Sequence, residues 1–337
     1  MANPTRQKVA VVTGGSAGVG RATVRELSQH GYDVAILARG QGGLDGAVKD
    51  VENAGRRSLG IRVDVSDHAG VLRAAQQVES ELGEIDVWVN VAFVGALAYF
   101  WETSPDEYKR MTDVTYMGQV NGTWAALSHM RPRDRGVIIN VCSAMSYRSI
   151  PLQSAYCGAK HAVKGFTESV ITELIHERSN VKVAMIQLPG LNTPQFNWNL
   201  NKMPKHPMPV KPIFQPELAA RGIRHLAEHP HRRNMWVGAS TAMTILGERA
   251  APWLLDLYLG RKGVAGQQTG EDLPRLGDNL YEPRDEAADQ GAHGPFDSKA
   301  HSHDPVLWLT LHRSAVLAGA GAALVAGAAA LTGRRRG

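Results

Sequence analysis

The chain has few cysteines, and this shortage excludes several classes of protein. Only Cys142 and Cys157 occur among the 337 residues. Two cysteines are too few for a disulfide framework or a cysteine metal centre, so we expect no bound metal and a reducing compartment. The N-terminus also lacks the apolar stretch of a secretory signal. These absences predict a cytoplasmic protein.

Basic and aromatic residues are likewise not arranged for nucleic-acid binding. The net charge is +5, and three basic residues lie together at Arg334, Arg335 and Arg336. Because no stripe of lysine and arginine with interleaved aromatics occurs, we expect no nucleic-acid partner. The length allows one large domain or two smaller ones.

A glycine-rich turn follows the first predicted strand, Lys8 to Thr13. It carries Gly14, Gly18 and Gly20 and leads into a helical pattern. Glycines let the backbone approach a pyrophosphate, whose charge is then stabilised by the N-terminus of the next helix. The order of strand, glycine turn and helix therefore predicts a dinucleotide site. The other cofactor candidates in this turn are Ser16 and Val19.

The second predicted strand ends in a basic residue, Arg39. An acidic residue near that position would accept hydrogen bonds from a ribose hydroxyl of NAD, whereas an arginine can pair with the 2′-phosphate of NADP. Arg39, helped by Arg21, therefore predicts a preference for NADP(H) over NAD(H). A solvated loop arginine is the alternative interpretation.

A tyrosine and a lysine lie four residues apart, at Tyr156 and Lys160, so a helix would place them on one face. A lysine ammonium favours the phenolate form, and we expect Lys160 to lower the pKa of Tyr156 and make it an acid and base. Ser143 precedes this pair and ends an apolar run typical of a buried strand. Sites of open α/β sheets lie at such strand ends.

The glycine turn, Ser143 and the Tyr156-x-x-x-Lys160 pair together resemble the short-chain dehydrogenase/reductase family. The resemblance extends over about Arg6 to Gly238. It implies an α/β fold of the Rossmann-like, doubly wound type, with a mostly parallel seven-stranded sheet and helices on both faces. It also implies that Tyr156 transfers a proton, that Ser143 binds the substrate oxygen, and that Lys160 binds the nicotinamide ribose.

The resemblance implies further cofactor-binding residues at the ends of later strands. Two residues of the family's Asn-Asn-Ala-Gly motif are present, and a threonine, Thr115, stands where members often place the asparagine of a proton relay. The segment that borders the nicotinamide is one residue shorter than usual. The additional cofactor candidates are Asp64 and Val65 beside the adenine, Asn90 and Ala92, and Pro189, Gly190 and Thr193 beside the nicotinamide.

Composition divides the chain into four parts. Residues 1–240 are the predicted nucleotide-binding domain, in which the proline-rich segment 195–216 is typical of a lid over an apolar pocket. Residues 241–260 form an apolar helical extension, and residues 261–307 have the composition of a polar flexible linker. Residues 308–337 predict an apolar C-terminal helix, either a membrane anchor or a helix packed on a partner subunit.

These patterns predict an NADP(H)-dependent oxidoreductase that interconverts a carbonyl compound and an alcohol. The apolar lid favours a lipophilic substrate, such as a steroid-like or lipid-derived ketone. The family resemblance implies a homodimer or homotetramer, and the tail would attach a cytoplasmic enzyme to a membrane. The alternatives are an NAD-dependent alcohol dehydrogenase and a protein that senses NADP(H) without catalysis.

Overall fold

The computed structural model describes residues 6–270 and 277–313. Seven strands form one sheet in which every neighbouring pair is parallel. The strands are β1 (Lys8–Thr13), β2 (Tyr32–Ala38), β3 (Ser58–Arg62), β4 (Ile85–Asn90), β5 (Val137–Ser143), β6 (Lys182–Leu188) and β7 (Asn234–Trp236). Their spatial order is β7-β6-β5-β4-β1-β2-β3. The predicted seven-stranded, doubly wound sheet is confirmed, and its order reverses between β1 and β4, where ligands bind in such folds.

Helices cover both faces of the sheet. The helices are α1 (Gly18–Gln29), α2 (Gln41–Asn53), α3 (His68–Glu81), α4 (Pro105–Thr112), α5 (Gly118–Met130), α6 (Ser154–His176), α7 (Pro216–Glu228), α8 (Ala239–Ala250), α9 (Pro252–Lys262) and α10 (Pro305–Leu311). A single π-helical turn, Asp113–Met117, joins α4 to α5. The connections between parallel strands therefore carry the helices that bury the sheet.

Alternation along the central strand divides the core into two layers. Val9 and Val11 point into the layer that includes residues of α3, α5 and α6, whereas Ala10 and Val12 point into the layer that includes α1, α2 and α7. Successive side chains of a strand face opposite sides, and both sides here are apolar. This explains why the sequence shows continuous apolar runs rather than alternation.

Residues 277–304, which we call the C-terminal strap, pack against the sheet domain. Leu280 and Phe296 are buried, and Asp289 forms an ion pair with Arg21 at 2.7 Å. The strap differs from the flexible linker that its composition predicts. The reason is that Leu280, Ala292 and Phe296 are buried as anchors, while Glu286 and Asp289 form ion pairs with arginines of the sheet domain.

The helices after the last strand leave apolar side chains exposed. Met243 of α8 and Trp253 and Tyr258 of α9 are among them. The apolar tail predicted at residues 315–331 lies outside the described residues. No helix within residues 6–270 and 277–313 is long and apolar enough to cross a membrane.

Candidate active site

The glycine turn after β1 is shaped by close backbone contacts. Gly14 has a φ of +66°, and its N–H donates to the carbonyl oxygen of Leu37 at 2.7 Å. A Cβ on Gly14 would lie 2.7 Å from Cα of Ala92, and one on Gly20 would collide with the carbonyl oxygen of Gly14. Both positions therefore require glycine, because a side chain would push β1, α1 and the segment after β4 apart.

Two adjoining cavities lie at the carboxyl ends of the strands. The first cavity lies over the glycine turn, and the second surrounds Ser143, Tyr156 and Lys160. Val19, Phe93 and Thr193 line both cavities, so the two share a boundary. Their empty volumes, including solvent at the mouths, are about 910 and 820 Å³. Cavities of this size accommodate small-molecule ligands.

The cavities bring together most of the residues predicted from the sequence. The first is lined by Gly14, Ser16, Gly18, Val19, Gly20, Arg39, Asp64, Val65, Ala92 and Thr193. The second is lined by Ser143, Tyr156, Lys160, Val19, Pro189, Gly190 and Thr193. Asn90 and Thr115 line neither cavity. Of the aromatic and methionine residues expected in the lid, Phe196 and Met208 line the second cavity and Trp198 the first.

Tyr156, Lys160 and Ser143 lie close together at the base of the second cavity. Lys160 is 2% exposed, and its Nζ donates to the carbonyl oxygen of Val141 at 2.7 Å and lies 5.6 Å from the centre of the Tyr156 ring. Ser143 ends β5, where its Oγ donates a long bond of 3.4 Å to the carbonyl oxygen of Leu188. The end of a strand and the first turns of α6 thus bring the three side chains to one place.

Burial controls the ionisation of this pair. It raises the pKa of Tyr156, a change that a hydrogen bond with Ser143 opposes and that Cys157 and Cys142 increase. Burial also lowers the pKa of Lys160 to about 8, against an opposing effect of Cys142. The sequence predicts that Lys160 lowers the pKa of Tyr156, but the structure shows a raised pKa. The reason is that desolvation penalises the charged form of both side chains, the phenolate of Tyr156 and the ammonium of Lys160.

Phe93 and Thr115 are two of the positions at which the chain departs from the family's motifs. Phe93 packs edge-on against Tyr156, with ring centres 5.7 Å apart. Thr115 lies in the π-helical turn, and its Oγ1 donates to the carbonyl oxygen of Val94 at 2.9 Å and accepts from the Val94 N–H at 3.2 Å. The Thr115 side chain therefore fixes the segment that carries Phe93.

Asn90 has a structural environment rather than one in the predicted cofactor site. Its amide nitrogen donates to Asn140 at 2.8 Å and Thr123 at 3.2 Å, and its amide oxygen accepts from the indole of Trp88 at 2.8 Å. These bonds join β4 to β5 and α5 within the core. The Asn90 side chain thus lies in the core, whereas Ala92, two residues later, lines the first cavity.

Charged side chains line the far end of the first cavity. Asp64 accepts hydrogen bonds from Arg110 and Ser66, and although burial alone raises its pKa, these bonds outweigh burial and lower it. Arg39 donates to the carbonyl oxygens of Asn279, Leu280 and Tyr281 in the strap. Arg21, expected to assist Arg39, is instead buried between Asp50 and Asp289.

The strap supplies site residues that the sequence reasoning missed. Asn279, Arg284 and Asp285 line the first cavity. Their composition resembles that of a linker, and nothing in their spacing relates them to the glycine turn about 270 positions earlier. Phe93 was also missed as a lining residue, although it occupies a motif position.

Comparison with known proteins identifies the family. The sequence profile of the short chain dehydrogenase family matches residues 8–204. The uncharacterized oxidoreductase YxnA of Bacillus subtilis is 32% identical over 282 residues, covering 82% of this chain and 72% of that protein. A 3-dehydrosphinganine reductase of Danio rerio is 33% identical over 191 residues, covering 55% of this chain and 57% of that protein.

A solved structure agrees with this assignment. A metagenomic short-chain oxidoreductase in complex with NADP superposes with a TM-score of 0.58 at 25% identity, covering 68% of this chain and 95% of that one. The fold and the match over most of the sheet domain define a nicotinamide-dependent oxidoreductase. The chain belongs to the short-chain dehydrogenase family.

The residues of the two cavities fit a nicotinamide dinucleotide. The hydroxyl of Thr193 is buried at the boundary between the cavities without a hydrogen-bonding partner among the described residues. The glycine turn leaves space that a Cβ would fill. Within residues 6–270 and 277–313, no cluster of three or more His, Cys, Asp or Glu side chains is arranged to hold a metal ion.

Proposed function

We propose that the chain interconverts a carbonyl compound and an alcohol, with Tyr156 as proton donor in the reductive direction. The observation that supports this most strongly is the placement of Tyr156, Ser143 and Lys160 in one cavity that adjoins the cavity over the glycine turn. When bound, the nicotinamide cofactor supplies the hydride. The chain's own residues then handle the proton and the developing charge.

Tyr156 donates its proton to the substrate oxygen as negative charge develops there. Its raised pKa keeps the phenol protonated at neutral pH, the form that can donate a proton. Ser143 donates a hydrogen bond to the same oxygen and stabilises its charge. Its long bond to the Leu188 carbonyl is weak, so a substrate oxygen can replace that acceptor.

Lys160 holds the cofactor's ribose beside Tyr156. An ammonium group has three donors, and the Val141 carbonyl accepts from it at 2.7 Å, which leaves donors for the ribose hydroxyls. With a pKa of about 8, Lys160 is mainly charged at neutral pH. The backbone carbonyl of Thr115 belongs to the same proposal as a holder of the relay water, since its side chain is already bonded to Val94.

A lipophilic substrate is proposed from the lining of the second cavity. Apolar side chains from several segments face it, and the lid contributes two of them. They are Phe93, Met145, Ile150, Phe196 and Met208. The relative named as a 3-dehydrosphinganine reductase supports a ketone with a long apolar part.

Two cofactor preferences have support, and they rest on different residues. A preference for NADP(H) rests on Arg39, which lines the first cavity, and on the solved relative that is in complex with NADP. The alternative, an NAD-dependent alcohol dehydrogenase, is favoured by Asp285, whose carboxylate lines the same end of the cavity. Arg39→Asp is expected to weaken NADPH binding more than NADH binding if Arg39 dominates.

The test is oxidation of NADPH and of NADH, followed by absorbance, against carbonyl compounds from small aldehydes to long-chain and steroid ketones. Tyr156→Phe should lower turnover by ~10²–10⁴-fold while the cofactor dissociation constant is unchanged. Tyr147→Phe, whose phenol bonds Asn234 outside the cavity, is the matched control. Cofactor binding without any turnover that depends on Tyr156 would contradict the proposal and favour a sensing protein.

A further inference from the structure

The strap places a buried carboxylate in the first cavity. Asp285 is 7% exposed and lines the cavity together with Ser16 and Arg39. Its carbonyl oxygen accepts the N–H of Gly43 at 2.9 Å, which fixes the residue at the start of α2. A Cβ on Gly40 or on Gly43 would collide with the Asp285 carboxylate, so both glycines make room for it.

This carboxylate has no hydrogen bond or ion pair among the residues that the structure describes. Arg39 lines the same cavity, but its guanidinium is directed to the strap carbonyls of residues 279–281 and lies 3.9 Å from Asp64. It attracts the Asp285 carboxylate electrostatically without a hydrogen bond. The carboxylate oxygens can therefore still accept hydrogen bonds from a ligand that brings donors to this point.

We propose that Asp285 accepts a hydrogen bond from a ribose hydroxyl in the adenosine half of the cofactor and thereby acts against NADP(H). This inference rests on the proposed function and specifies its cofactor. In dinucleotide-binding folds an acidic residue near the end of the second strand binds the ribose, and here that strand is followed by Arg39. The strap supplies the missing carboxylate from a distant part of the sequence.

Repulsion between the Asp285 carboxylate and the 2′-phosphate explains why Asp285 would disfavour NADP(H). A 2′-phosphate carries a charge of about −1.5 to −2 at neutral pH, and a buried carboxylate beside it is unfavourable. Arg39 favours the phosphate, but the strap carbonyls accept three of its hydrogen bonds, which leaves fewer donors for the phosphate. Cofactor preference thus depends on two side chains of opposite charge: Arg39, which follows β2, favours NADP(H), and Asp285 on the strap disfavours it.

The test compares binding of NADH, NADPH, 5′-AMP and 2′,5′-ADP by calorimetry in the full chain, which needs no turnover. Asp285→Asn keeps the shape and the main-chain bond but removes the charge. The ratio of dissociation constants should shift by about tenfold or more in favour of the 2′-phosphorylated ligands, which corresponds to about 1.4 kcal/mol. Weaker binding of 5′-AMP should contribute to this shift.

Asp289→Asn is the matched control, because Asp289 is on the same strap but pairs with Arg21 outside the cavity. It should leave the ratio unchanged, because Asp285 and Arg39 keep their charges. Equal effects of both substitutions on the binding of all four ligands would overturn the proposed hydrogen bond from the ribose to Asp285. Asp285 would then only attach the strap to the sheet domain. If the wild-type chain binds none of the ligands, the proposed function fails together with this inference.

Discussion

Desolvation sets the properties of the side chains at the base of the second cavity. Lys160 is buried and Tyr156 is half-buried, and no carboxylate pairs with Lys160 among the described residues. The folded protein therefore bears the cost of an ammonium group that its neighbours only partly stabilise. Functional sites commonly retain such unfavourable groups.

This cost predicts a dependence of stability on pH. Burial lowers the pKa of Lys160 from its ordinary value of 10.5 to about 8 in the folded protein. Below about pH 8, Lys160 is protonated in both the folded and the unfolded protein. Between about pH 8 and pH 10.5 it stays protonated in the unfolded chain but loses its proton in the folded one. The free energy of unfolding therefore rises with pH in this range. Between pH 7 and pH 10 the free energy of unfolding of the wild type, measured by urea titration, should rise by up to about 3 kcal/mol relative to that of Lys160→Met.

Lys164→Met, which removes a lysine from the next turn of α6, is the control for this measurement. Tyr156 lowers the free energy of unfolding as the pH rises, but only above its ordinary pKa of about 10. There the folded state keeps the phenol proton, whereas the unfolded state releases it. A difference between wild type and Lys160→Met that does not vary with pH would show that the burial of Lys160 has no such effect.

The strap is the element that connects cofactor binding to the C-terminal part of the chain. Phe296 packs edge-on against Phe196 of the lid at 5.8 Å, and the strap's carbonyls hold Arg39. One element thus contacts both the lid of the second cavity and the far end of the first. We expect its attachment to depend on its few apolar anchors.

Loss of the main anchor should release the strap. Phe296→Ala removes buried area worth about 3–5 kcal/mol, enough to favour the detached state of a short segment. Trypsin cleavage after Arg284 should become at least about tenfold faster while the sheet domain stays intact, as measured by mass spectrometry. Tyr281→Ala, at an exposed strap position, should cleave at the wild-type rate. Equal rates for all three proteins would contradict the anchoring role.

Local patterns predicted the sheet and the pair of side chains proposed to be catalytic because each depends on a short stretch of sequence. Gly14 and Gly20 are required by contacts within one strand-turn-helix unit, and Tyr156 and Lys160 by one turn of helix. The environments of Arg39 and Asp285 depend on contacts between residues more than 200 positions apart. The ionisation of Tyr156 was predicted in the wrong direction because burial cannot be read from neighbouring letters.

The surface of the whole molecule carries exposed apolar side chains on several helices. Trp124 on α5 is 62% exposed, and Ile175 at the end of α6, the longest helix, is 69% exposed. Exposed apolar patches often mark interfaces. We therefore retain the proposal of a homodimer or homotetramer formed through the longer helices.

This proposal predicts that Trp124→Glu dissociates the assembly, because a carboxylate would be buried without a partner at the interface. Light scattering after size exclusion should give the mass of the monomer for this variant and of the oligomer for the wild type. Trp253→Glu on α9 is the matched control, since Trp253 is equally exposed. Dissociation by Trp253→Glu alone would place the interface on α9, and a monomeric wild type would contradict the proposal.

In the proposed reaction this chain passes a hydride between its cofactor and a carbonyl carbon. The most direct test uses a reduced cofactor that carries deuterium at the hydride position, together with the carbonyl compound turned over fastest. We predict an alcohol with deuterium on its carbinol carbon, as detected by mass spectrometry and NMR, and its formation at least about a hundredfold more slowly with Tyr156→Phe. An unlabelled product formed while the cofactor is consumed would contradict the claim.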